Sequence, residues 1–127
     1  MKPGRELDVI VAEKVMGLKD VRKITDPMAQ GAFGDILYSA EKPDPYPDNA
    51  GIWLGHLTRV PSYSTDIAAA FEVWDKLNNK RWALEKCLDD RWSVFVELQY
   101  EGRVSIATGE SAPHAICLAA LKAVGAY

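Results

Sequence analysis

A chain of 127 residues has room for one domain with a core of its own. With 48% hydrophobic and 26% charged residues, its composition is that of a soluble globular protein. A formal net charge of −3 argues against a general nucleic-acid or membrane-surface binder, whose affinity comes largely from positive charge.

The first predicted helix runs from about Gly4 to Met16, with Leu7, Ile10, Val11 and Val15 on its buried side and Gly17 ending it. From Leu18 to Val60 the pattern weakens, and glycines and prolines punctuate it. Two short strands, Asp35 to Ser39 and Gly51 to Leu57, are expected to flank an exposed Pro-rich loop at about 42–51. The second helix is the best-specified element. Ile67, Ala70, Phe71, Trp74 and Leu77 draw one apolar stripe, and Ser64-Thr65-Asp66 supplies capping side chains ahead of it.

Trp82 to Leu88 reads as a strand. Trp92, Val94, Val96, Leu98 and Tyr100 alternate with Ser93, Phe95, Glu97 and Gln99, a period of two. Glu101-Gly102 turns the chain, and Arg103 to Thr108 returns as the partner strand of an antiparallel hairpin. The last helix follows Ser111, with Pro113 in its first turn and Gly125 at its end. Ile116, Ala119, Ala120 and Ala123 give it a face of small residues. The fold class is therefore α+β: a single domain over 1–127, with three helices packed on an antiparallel sheet of four to five strands.

Chemistry is scarce. His56 and His114 are the two histidines, and no spacing gathers metal ligands around them. Cys87 and Cys117 lack CxxC spacing and sit in apolar segments, which predicts buried free thiols in a reducing compartment. No paired carboxylates and no nucleophile–base spacing stand out, so no catalytic residue and no cofactor are assigned, and the expectation is a protein without turnover. No apolar run approaches the ~20 residues of a membrane span, and no secretory leader is recognisable.

Three blocks carry a family resemblance: Gly4 to Gly17, Tyr63 to Ala70, and Ala112 to Ala123. In this order they resemble the phage ABA sandwich domain family, small proteins of bacteriophages and prophages. The resemblance implies an α/β sandwich of phage origin and a location in the cytoplasm of the infected bacterium. It brings no catalytic residues.

Small phage proteins without a catalytic set commonly act by binding, some of them as sponges for nucleotide-derived immune signals. A phosphate-bearing ligand needs free N–H donors, cations and a flat face for a base. The start of the second helix offers Tyr63, Ser64 and Thr65, with Arg59 close by in sequence; the start of the last offers Ser111 and His114. Arg81, Arg91 and Arg103 flank the strands between. Plain caps and surface salt bridges are the competing reading of each. The expectation is stoichiometric binding of a small anionic, nucleotide-like molecule by a homo-oligomer, with neither nucleic acid nor membrane as partner. The alternative is a protein–protein adaptor that presents the loop from Lys42 to Gly51.

Overall fold

The last helix, α4 (Ala112–Ala123), is buried on every side from Pro113 to Leu121. Leu, Ile, Cys and Ala around its whole circumference permit this, because a helix apolar all round has no face that prefers water. Ser111 caps it by accepting the His114 N–H at 3.3 Å, and Pro113 lies where its missing donor costs nothing. At the far end Gly125 takes φ 74°, and the Ala126 N–H reaches back to the Leu121 carbonyl at 2.8 Å. Those two features make a left-handed helix stop that satisfies the final carbonyls.

The computed structural model describes residues 1–39, 57–77, 81–98, 100 and 102–127. These form two units, Met1–Gly17 with Pro61–Tyr127, and Leu18–Val60. In the first unit α4 is surrounded by α1 (Arg5–Lys14), α3 (Ile67–Leu77) and an antiparallel sheet in the order β4 (Trp82–Lys86), β5 (Trp92–Leu98), β6 (Gly102–Gly109). The second unit holds β1 (Lys19–Lys23), α2 (Pro27–Phe33), β2 (Ile36–Ser39) and β3 (Leu57–Arg59), with its strands antiparallel in that order. The class is α+β as expected, but the strands fall into two sheets of three and not into one of four or five. Strand β1 and helix α2 come from the weakly patterned stretch. Asp26-Pro27, which caps and opens α2, is the local signal that marks its start. Of the second expected strand, Gly51 to Leu57, only Leu57 is among the described residues, where it belongs to β3. Residues 51–56 and the Pro-rich loop lie outside the described residues.

One glycine sets how close α4 comes to the sheet. A Cβ on Gly109, at the end of β6, would stand 2.6 Å from the Ala115 nitrogen. Gly109 pairs with Trp92 and Ala107 with Val94, so that side of the sheet is the one α4 covers, and Val94 and Ala107 are buried there. Between those pairs and Phe95–Ser105 the register shifts, leaving Ile106 as an extra residue on β6. The Lys122 ammonium on α4 donates to the Ile106 carbonyl at 2.8 Å, holding the bulge against the helix.

Helix α3 forms where its period predicts, but its buried face is displaced. Ala69, Ala70 and Val73 are buried, whereas Ile67 and Phe71 are 41% and 47% exposed. Alanines on α3 meet the small side chains of α4, whose Ala119 and Ala120 are fully buried. Close approach of two small faces has displaced the larger apolar residues outward. Trp74 then turns edge-on to Trp82 of β4, with ring centroids 5.8 Å apart.

Candidate functional site

The two helix starts expected to share a role have different ones. At α3 the cap is Asp66, whose carboxylate accepts the Ala68 N–H at 3.2 Å. Ser64, expected to cap α3, is instead buried against α1. Its hydroxyl accepts the Gly4 N–H at 2.8 Å and donates to the Asp8 carboxylate at 2.6 Å, while its own N–H donates to the same oxygen at 2.8 Å. Arg5 closes the group, 2.9 Å from the other oxygen of Asp8, and also donates to the Pro61 carbonyl. Asp8 is completely buried, yet both its oxygens are engaged, which is what a charge out of water requires. Sequence reading missed it, although Asp8, Val11 and Val15 follow helical spacing on one face.

Tyr63 is buried next to Ser64, and Thr65 is exposed. Arg59, on β3 in the other unit, is exposed, with its stem packed where a Cβ on Gly34 would stand. At α4 the capped N-terminus is filled. The His114 Nδ1 accepts the Glu110 N–H at 2.9 Å, so Nε2 carries the proton and donates to the Met1 carbonyl at 2.7 Å. Both ring nitrogens of His114 and the hydroxyl of Ser111 are thus engaged within the fold. Ser64, Ser111 and His114 act as ties. The thiol of Cys117 on α4 is pushed up to about 12 by burial first and by the Asp8 charge second. Cys87 is half-buried, with its sulfur 3.2 Å from the Ser93 hydroxyl.

The arginines divide. Arg91 sits on the β4–β5 turn, held 2.6 Å from Asp89, whose carboxyl falls below its ordinary range through that hydrogen bond. Arg81 and Arg103 come together. Both line a depression of about 240 Å³ with Ala83, Glu85, Phe95 and Glu97 on the side of the sheet opposite Val94. The Arg103 guanidinium lies 4.5 Å above the Phe95 ring and 2.8 Å from Glu85, whose hydrogen bond raises the arginine's pKa. A second depression, of about 510 Å³, continues along Arg81, Glu97, Leu98, Tyr100 and Gly102. Two guanidinium groups, an aromatic face and two carboxylates can grip an anion bearing a flat ring, or a mixed-charge protein surface.

Among the described residues, no three His, Cys, Asp or Glu side chains are grouped to hold a metal, and no helix is long and apolar enough to cross a membrane.

No curated protein matches the chain in sequence. In structure it is similar to a phage protein from Bacillus cereus, with a TM-score of 0.58 and 26% identity over 98% of this chain and 89% of that one. The family model of the phage ABA sandwich domain matches residues 9–121, a span that includes the second half of α1, both sheets and nearly all of α4. The chain belongs to the phage ABA sandwich domain family.

Proposed function

We propose that this phage-family protein works by stoichiometric binding without turnover, in the cytoplasm of an infected bacterium. Its ligand is a small anionic, nucleotide-like molecule, and removing such a signal from solution counters a host defence. One observation carries the reading: Arg81, just ahead of β4, and Arg103, on β6, share one depression with the ring of Phe95. Guanidinium groups take phosphate through forked hydrogen bonds, and a base stacks on the plane of Arg103 already seated on Phe95. The acidic net charge is no obstacle, since a small ligand senses local potential. Glu85 competes for Arg103, so a ligand must displace or share that pair.

Titration calorimetry against cyclic dinucleotides and cyclic ADP-ribose isomers tests this. Binding near one per site is expected, weakened about 10- to 100-fold by Arg103→Ala or Arg81→Ala, as loss of a charge-assisted hydrogen bond implies. Absence of heat and of any thermal shift across the panel defeats the ligand reading. Steady product release from the same nucleotides defeats the claim that there is no turnover.

A protein adaptor is the second reading, favoured by Ile67 and Phe71, which stand exposed one turn apart on α3. Phe71→Ser then abolishes capture of a phage or host protein while Arg103→Ala leaves it intact.

A further inference from the structure

We infer that the outer edge of β4 is a self-association surface, on which a second copy of this chain adds its own β4 antiparallel about a twofold axis at Ala83. Among the described residues β4 is an end strand, hydrogen-bonded to β5 on one side only. The Arg81 carbonyl accepts the Glu97 N–H at 3.2 Å, and the Cys87 N–H donates to the Arg91 carbonyl at 2.6 Å. Odd-numbered residues of β4 therefore point their backbone groups at β5. Antiparallel alternation sends the N–H and C=O groups of Trp82, Leu84 and Lys86 to the opposite edge.

An axis at Ala83 sets Trp82 against Leu84 of the second copy, and Leu84 against its Trp82. Those are two of the three β4 residues with outward backbone groups, so each pair exchanges two hydrogen bonds, and the third, Lys86, falls outside the paired stretch. Arg81 then faces Glu85 of the second copy, twice over, at the positions where side chains from adjoining strands approach most closely. Small Ala83 meets itself on the axis. Charge selects this register. An axis at Glu85 opposes two carboxylates, and one at Leu84 leaves Arg81 facing Cys87. Glu85 keeps Arg103 as a neighbour, since a carboxylate accepts from two guanidinium groups.

The opposite edge of the same sheet is protected. β6 carries the Ile106 bulge with Lys122 on its carbonyl, whereas β4 keeps an unbroken register and has no proline. Pairing two copies of β4 makes one six-stranded sheet and brings the two Arg81–Phe95–Arg103 depressions to either side of the axis. The inference stands on edge geometry and charge, whatever ligand those depressions take.

Light scattering on the full chain at low salt should give twice the 14.1 kDa mass of one chain. Glu85→Arg and Arg81→Glu each place like charges face to face and should yield monomer, and the double swap should restore the dimer. Ala83→Cys, in a Cys87→Ser background, should crosslink to itself, because strand partners at such positions lie ~4.5 Å apart at Cα, within disulfide reach. Circular dichroism checks that each variant folds. A wild type that stays monomeric at about 100 μM overturns the inference. So does a dimer that both single swaps leave intact, or an Ala83→Cys chain that never crosslinks.

Discussion

Ser64 and Ser111 precede their helices with similar local chemistry, and the fold uses them in opposite ways. Ser111 caps the helix it precedes, through a contact three residues long. Ser64 leaves its own helix to Asp66 and serves the start of α1, through contacts spanning 56 and 60 residues. A serine ahead of a helix thus announces a hydrogen bond, but not its recipient. Burial decides. Ser111 is half-exposed and content with a local N–H, whereas Ser64 is fully buried beside a carboxylate that needs donors.

The sharpest way to break that contrast is to remove the carboxylate. Asp8→Ala should cost about 3 kcal/mol, read as a shift in urea midpoint, because it strands the Ser64 donors and one face of Arg5. That is the low end for a broken buried pair, since Arg5 is partly solvated. Ser64→Ala comes next, at about 2 kcal/mol, for it deprives both Asp8 and Gly4 of a buried partner. A third effect links the Ser64 cluster to α4. The Cys117 thiol loses its proton near the ordinary value of 9 when unfolded but near 12 when folded. The folded state therefore holds the extra proton in that window, and stability falls as pH rises, by ~1.4 kcal/mol per unit. Urea midpoints above pH 9 should show this slope in the wild type and a shallower one in Cys117→Ala. The smallest effect belongs to the local cap. Ser111→Ala should cost about 1 kcal/mol, measured in the same way. Equal costs at Ser64 and Ser111 would erase the distinction between them.

What could be read from the chain follows the same division. The period-two run from Trp92 and the period of α3 are local, and both elements appear where expected. The buried face of α3 was not legible, since it depends on the alanines of α4 and not on the size of its own side chains. Helix α2 went unread, although Asp26-Pro27 carries the signal of its start. Of the proposed site, the arginines at 81 and 103 stood out as cations near strand ends. Their convergence rests on the β4–β5–β6 register, and Glu85, Phe95 and Glu97 joined them only through it. The polar ties at Ser64 and His114 looked like ligand contacts because their protein partners are remote in sequence: Asp8 for one, Met1 for the other.

The enclosure of α4 also bears on the protein's birth. Every element that packs on this helix is translated before it, so α1, α3 and the three strands leave the ribosome with their apolar sides open. Among the described residues, no earlier element of this unit is buried on all sides as α4 is. Its cooperative folding waits for synthesis of the segment from Pro113 to Leu121. A nascent chain halted before that segment should be open to protease and to chaperone, and should become resistant once the segment has emerged from the ribosome.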